Sequence, residues 1–166
     1  MTRPGLFLIL ILIATGCGSR TVSDGSGVAV SSTKSADRPA WETSTSPPPA
    51  SLETATGTTV LTFGSYCWSV TTSEGGTSGC GDSAPFDLYK DLAVTRVADG
   101  DTVTLVLALM PSKPTDVTLG KHHILLPAAT RSEFVIHGHG ILEVHANFPQ
   151  GDVSYGIRIE RPAASG

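Results

Sequence analysis

From Thr58 to Gly166, apolar and polar positions alternate in short runs that Gly, Asp and Pro interrupt. This period of two is typical of half-buried antiparallel strands, whose side chains point alternately to the two faces of a sheet. Turns at Ala98–Asp101 and Pro149–Asp152 contain the Gly and Asp residues that tight turns favour. The strands predicted from this pattern are Thr59–Phe63, Tyr66–Thr72, Leu92–Val97, Thr102–Met110, Thr115–Leu119, His123–Leu126, Glu133–His137, Ile141–Asn147 and Val153–Arg161.

Two segments indicate which strand faces are buried. The apolar residues of Thr102–Met110 share one face, and we expect them to point into the core: Val103, Leu105, Leu107 and Leu109. The same alternation predicts a closing hairpin around Gly151. Its inward residues are Leu142, Val144, Ala146, Phe148, Val153, Tyr155, Ile157 and Ile159.

These strands predict the fold class. Residues 58–166 have no amphipathic helix pattern, and we expect an all-β domain, an immunoglobulin-like β-sandwich of 7–9 antiparallel strands. Only 16% of the 166 residues are charged, while Ser, Thr, Gly and Pro are plentiful, which suits strands and turns better than surface helices. The chain length allows one domain of this kind.

The segment before this domain is polar. Residues 17–57 are mostly Ser, Thr, Gly, Ala and Pro, and such a composition buries too little apolar surface to offset the entropy of ordering. We therefore expect a disordered tether with a mean reach of about 35 Å.

The first 16 residues have the pattern of an export signal. Arg3 precedes an unbroken apolar run, Leu6–Ile13, which Ala14, Thr15 and Gly16 follow. The run is shorter than the roughly 20 apolar residues that a membrane-spanning helix needs. The sequence thus predicts a signal peptide over residues 1–16 and export from the cytoplasm.

Ile13-Ala14-Thr15-Gly16-Cys17 resembles a bacterial lipobox, with Ala14 at the position where Leu is usual. The resemblance implies diacylation of the Cys17 sulfur, cleavage before Cys17, and a lipid anchor on the extracytoplasmic face of the cell membrane. Two acyl chains suffice to hold a soluble domain there, because each buried methylene contributes about 0.8 kcal/mol. The alternative is an ordinary secretory signal that is cut elsewhere, which leaves Cys17 incidental.

With Cys17 assigned to lipid, Cys67 and Cys80 remain as an even pair in an oxidising compartment, and we expect a disulfide between them. The bridge would hold the Gly-rich segment Glu74–Gly79 against the strand that contains Trp68. We expect Trp68 in the core, since it lies on the strand face opposite Cys67; exposure at a binding surface is the alternative.

A second resemblance covers most of Thr58–Arg161. Three features carry it: Tyr66-Cys67-Trp68 with Cys80, the turn Gly100-Asp101-Thr102-Val103, and the hairpin from Gly140 through Gly151 to Ile159. In these features the segment is similar to small β-sandwich domains in uncharacterised lipoproteins of Gram-positive bacteria. The resemblance implies the fold and no particular substrate.

Five histidines suggest a metal site: His122, His123, His137, His139 and His145. On an extended segment His137 and His139 share one face, and they would chelate Zn²⁺ or Cu²⁺ with a third ligand from His123 or His122. The alternative is that all five are solvated surface residues. Similarly, Asp82, Asp87 and Asp91 are either a loose Ca²⁺ site or, as we expect, a solvated acidic rim.

Other function classes have little support in the sequence. The 11 basic residues form no run and the net charge is −4, which argues against nucleic-acid binding. There is no nucleophile elbow, phosphate-binding Gly-rich loop or dinucleotide motif, so we do not expect an enzyme.

We therefore expect a non-catalytic envelope module without a required cofactor, anchored in the lipid bilayer and binding a cell-wall component, a solute or another envelope protein. The alternatives are an envelope Zn²⁺- or Cu²⁺-binding protein that uses the His122–His145 histidines, and a passive spacer.

Overall fold

The computed structural model describes residues 45–73 and 75–163. The signal peptide, Cys17 and the predicted tether as far as residue 44 lie outside the described residues. In chain order the strands are β1 (Ala50–Thr54), β2 (Gly57–Val60), β3 (Thr62–Thr72), β4 (Gly75–Gly81), β5 (Val94–Arg96), β6 (Thr102–Leu107), β7 (Thr115–Leu119), β8 (His122–Leu126), β9 (Arg131–Val135), β10 (Gly140–Phe148) and β11 (Gly151–Glu160). A single 3₁₀ turn at Phe86–Leu88 lies between β4 and β5.

The strands form a four-stranded sheet in the order β2-β1-β6-β9 and a seven-stranded sheet in the order β4-β3-β11-β10-β7-β8, with β5 also beside β11. The β5–β11 pairing is parallel and the other pairings are antiparallel. The predicted all-β sandwich is confirmed. The predicted strand number of 7–9 is too low, because the described residues contain eleven strands, and the expectation of antiparallel pairing throughout is wrong for β5.

The core lies between the two sheets and contains the residues that the alternation predicts. Val103, Leu105 and Leu107 of β6 are buried, as are the inward residues of β10 and β11 from Leu142 to Ile159. Leu109 is only partly buried, because β6 ends at Leu107. Each such side chain contributes about 1.5–3 kcal/mol on full burial, so this contiguous cluster is the main source of stability.

Two strands are absent from the sequence prediction. β1 lies within the segment expected to be tether, so the ordered domain begins before Thr58. Its five residues place only Ala50 and Leu52 in the core, too few for a recognisable alternation. β4 consists of Gly, Thr, Ser and Cys without a large apolar residue, and it is an exposed edge strand held by its backbone ladder to β3.

The predicted strand Thr59–Phe63 is divided at Leu61. β2 ends at Val60 in one sheet, and β3 begins at Thr62 in the other. Leu61 is buried, and its N–H donates to the carbonyl of Ala50 at 2.9 Å. The chain therefore crosses between the sheets at this residue.

The expected disulfide is present. Cys67 and Cys80 lie directly opposite each other in the β3–β4 ladder and are bonded. Trp68, on the other face of β3, is 1% exposed and packs edge-on against Phe148 with ring centroids 5.6 Å apart. The core assignment of Trp68 is thus confirmed, and the alternative of an exposed binding residue is wrong.

The described chain begins at one end of the sandwich, here called the proximal end, which consists of Thr45–Pro49 and the turn between β10 and β11. Pro47 and Pro48 are buried, and Ala50 pairs with Leu107 at the end of β6. Thr45 packs on Gly79, where an added Cβ would lie 2.9 Å from the Thr45 Cβ. This first segment is therefore part of the domain.

The opposite end is here called the distal end. It consists of the turn Ala98–Asp101, the turn Gly120–Lys121, the loop Ile136–His139 and residues 161–163. β10 and β11 run from one end to the other. Among the described residues, no helix has the length and apolar composition of a membrane span.

Candidate functional site

Hydrogen bonds join two of the distal loops into one rim. The Gly138 N–H donates to Asp99 Oδ1 at 2.7 Å, and the Ile136 N–H donates to the carbonyl of Asp101 at 2.9 Å. The Gly100 N–H in turn donates a hydrogen bond of 2.8 Å to the carbonyl of Ile136. Short polar side chains next to glycine make such turns, and here they fix the loop after β9 against the turn before β6.

The loop conformation explains where the histidines point. Gly138 has φ +96°, a left-handed conformation that residues with a Cβ rarely adopt. The chain is therefore not extended between His137 and His139, so the shared face expected from their spacing does not form. His137 instead lies beside His122, with ring centroids 5.6 Å apart and planes tilted by 42°.

His122 reaches this position because β7 and β8 form a tight hairpin. Leu119 pairs with His122 across the Gly120–Lys121 turn, and Gly120 has the left-handed φ of +58° that the turn requires. This places the first residue of β8 at the distal end, level with the loop after β9.

A cleft of about 580 Å³ opens between these elements. Its lining consists of Ala98, Asp99, His122, His137, Gly138, Arg161 and Pro162. Two imidazoles, a guanidinium and a carboxylate thus meet in one concave site, on elements that are distant in the sequence. We refer to it as the distal cleft.

The predicted metal site is not assembled as expected. His123, His137 and His139 do not come together, and within residues 45–73 and 75–163 no group of three His, Cys, Asp or Glu side chains is placed to hold one metal ion. His123 lies on the outer face of the sheet, where its Nε2 is 2.8 Å from Asp116 Oδ1. His139 is exposed and does not line the cleft.

The loose Ca²⁺ site considered from the sequence also does not form. Asp82, Asp87 and Asp91 are exposed on the segment that connects β4 to β5, and they too belong to no group of metal-ligating side chains in the described part of the chain.

A second polar cluster crosses the outer face of the seven-stranded sheet. Ser154 of β11, His145 of β10 and Asp116 of β7 are directly opposite one another in register. Ser154 is 8% exposed, and its hydroxyl donates to the carbonyl of Ser65 at 3.0 Å, so the hydroxyl is bonded within the sheet. The cluster depends on strand register, which is why sequence reasoning did not find it.

The Ser154 hydroxyl and the Asp116 carboxylate of this outer cluster are already engaged, by the Ser65 carbonyl and by His123. His145 Nε2 lies 3.7 Å from Glu143 Oε2 on the same strand. The exposure of His145 agrees with the alternation of β10, which turns Val144 and Ala146 inward.

Fold and site together define an all-β sandwich domain with a polar cleft among the loops of one end. Comparisons with protein-family models, curated proteins and solved structures give no match for the chain.

Proposed function

We propose that this chain is a lipoprotein, held at the extracytoplasmic face of the membrane by acyl chains on Cys17. We further propose that its β-sandwich is a non-catalytic module that binds an envelope component or a small solute in the distal cleft. The observation that carries the proposal is the position of the cleft, at the end of the sandwich opposite to the point where the described chain begins.

The separation between the two ends favours this arrangement. β10 alone has nine residues, which span about 30 Å at the usual rise of a strand. A tether that joins the domain at the proximal end would leave the distal loops as the part farthest from the attachment point. Loops at the end of a rigid sandwich are common positions for binding sites.

The cleft has the properties of a preformed site. Its volume of about 580 Å³ lies within the roughly 300–1,000 Å³ of small-molecule sites. Hydrogen bonds from Gly138 to Asp99 and from Ile136 to Asp101 hold the rim in place, so little conformational entropy is lost when a ligand binds.

One observation favours metal binding as a second candidate function. The imidazoles of His122 and His137 are adjacent in the cleft, and two such ligands are the start of a Zn²⁺ or Cu²⁺ site. Calorimetric titration of the full chain with Zn²⁺ and Cu²⁺ tests this. If the heat is unchanged in a His122→Ala/His137→Ala variant, the metal hypothesis for this cleft is wrong; His145→Ala is the matched control.

Intact mass of the membrane-extracted protein tests the anchor. We expect a mass that begins at Cys17 and includes the acyl chains, while a Cys17→Ala variant should be processed differently and leave the membrane fraction. An unmodified Cys17 thiol in the mature protein would overturn the lipoprotein proposal.

Ligand screening by nuclear magnetic resonance tests the cleft. We expect solutes that bind to shift the amide signals of Asp99, His122 and Gly138, and to leave those of the proximal residues Thr45 and Gln150 unchanged. Shifts confined to the proximal end, or a hydrolytic activity in the purified protein, would contradict the proposed function.

A further inference from the structure

The lining of the distal cleft contains one guanidinium, two imidazoles and one carboxylate. Arg161 follows the last strand, and no carboxylate within residues 45–73 and 75–163 is at ion-pair distance from its guanidinium. Asp99 is the one acidic residue of the lining. Its Oδ1 already accepts the 2.7 Å bond from Gly138, so the carboxylate is used to hold the rim.

In the described part of the chain, the charged groups around the distal cleft do not place a free carboxylate next to its lining. Glu160, next to Arg161, has its Oε2 3.7 Å from Arg96 Nε. Asp101 Oδ2 accepts a bond of 3.1 Å from the Ala98 N–H. Lys121 and His139 flank the lining residues His122 and Gly138 in the sequence, and both are exposed. Each nearby carboxylate is thus held by another group, and the flanking residues add only cationic or neutral side chains.

We propose that the distal cleft binds the phosphate group of a small phosphate-bearing solute. This deepens the proposed function and rests on it. A guanidinium presents parallel N–H donors to an oxyanion, and imidazoles add further donors. Phosphate offers enough acceptor oxygens to meet Arg161, His122 and His137 together.

The experiment uses the full chain in detergent at neutral pH. The probes are inorganic phosphate, sulfate and acetate at constant ionic strength, with the amide signals of the cleft as readout. We expect phosphate and sulfate to bind, and acetate, which offers fewer acceptor oxygens, to bind at least about tenfold more weakly.

Two variants test the residues. Arg161→Gln should weaken phosphate binding by about tenfold or more, since it removes a charged donor from the anion. Arg96→Gln, which changes an exposed arginine outside the cleft, should not. His122→Asn/His137→Asn should also weaken phosphate binding, whereas His145→Asn, outside the cleft, should not. Arg161, His122 and His137 are exposed, so these variants should fold; the dispersion of the amide spectrum checks this.

The outcomes separate this inference from the proposed function. Phosphate binding that is unchanged in Arg161→Gln, or acetate binding as tightly as phosphate, would overturn the phosphate assignment. A neutral solute that shifts the cleft signals, while phosphate and sulfate do not, would overturn the inference and support the proposed function. If no solute of any charge shifts those signals, both fail.

Discussion

The hydroxyl group of Tyr155 donates a hydrogen bond of 2.8 Å to the main-chain carbonyl of Pro48. Tyr155 is fully buried in β11, and Pro48 precedes β1 in the other sheet. The bond therefore joins the two layers of the sandwich and fixes the segment through which the chain enters the domain. Proline has no N–H of its own, so its carbonyl is the group through which this position is held.

Replacing Tyr155 by Phe should lower the free energy of unfolding by about 1–3 kcal/mol, because the Pro48 carbonyl would lose its donor. Denaturant unfolding at neutral pH measures this. Tyr66→Phe is the matched control, since Tyr66 is only partly buried, and it should change stability by less than about 0.5 kcal/mol. Equal effects of the two substitutions would contradict the role of the bond.

The same residue should make the domain sensitive to alkali. Burial raises the pKa of the Tyr155 hydroxyl far above its ordinary value of 10.0. In the unfolded chain Tyr155 loses its proton near pH 10, so stability that is present below that pH should fall by about 1.4 kcal/mol for each unit above it. In Tyr155→Phe this part of the decline should be missing. Identical slopes above pH 10 in the two proteins would disprove the linkage.

Truncation at Thr58 should disrupt the domain. β1 is an interior strand between β2 and β6, and it supplies Ala50 and Leu52 to the core. The truncation also removes Pro48, whose carbonyl accepts the bond from Tyr155. Burial of one leucine is worth about 1.5–3 kcal/mol, against a total stability of about 5–15 kcal/mol. We expect residues 45–166 to unfold cooperatively on heating, followed by near-ultraviolet circular dichroism, and residues 58–166 not to. A cooperative transition of the shorter chain at the same temperature would contradict this.

The parts of the fold that the sequence predicts are those in which a strand buries several residues. β6, β10 and β11 each carry at least three inward apolar residues, and their faces agree with the prediction. β1 buries two and β4 lacks large apolar residues, so their existence depends on partners in the sheet. Period-two patterns detect burial, and they do not detect strands held mainly by backbone pairing.

The sequence predicts less of the distal cleft than of the fold. The sequence indicates the histidines as candidates, but the pairing of His122 with His137 depends on the left-handed Gly138 and on the β7–β8 hairpin. Nothing near Arg161 in the sequence distinguishes it from other surface arginines. Sites assembled from several loops depend on topology, which local pattern does not determine.

The Cys67–Cys80 bond should stabilise β4 in particular. β4 has exposed or half-exposed side chains along its length, so the disulfide adds a covalent link to the ladder that joins β4 to β3. Removing it with Cys67→Ser/Cys80→Ser should lower stability by up to about 3 kcal/mol on the chain-entropy estimate. Hydrogen exchange should accelerate in β4 and remain slow in β10. Equal acceleration in both strands would mean that the bond supports the whole domain and not the edge.

Phe86 is buried on the outer face of the seven-stranded sheet, apart from the main core. Gly156 of β11 and Gly64 of β3 make room for its ring, since a Cβ on Gly156 would lie 2.4 Å from the ring and one on Gly64 would lie 2.5 Å from it. Large side chains at either position would displace the ring. The two glycines therefore allow the segment that connects β4 to β5 to cover this part of the sheet.

A double-mutant cycle tests this packing. Gly156→Ala should destabilise the protein by about 1–3 kcal/mol, because overpacking forces the phenylalanine to move. In a Phe86→Ala background the same substitution should cost much less, so the two effects should be strongly non-additive. Gly76→Ala in β4 is the control, since the nearest atom to its added Cβ is 3.9 Å away. Additive effects of Gly156→Ala and Phe86→Ala in denaturant unfolding would mean that the two residues do not contact as described, and the cover over the outer face would then need another explanation.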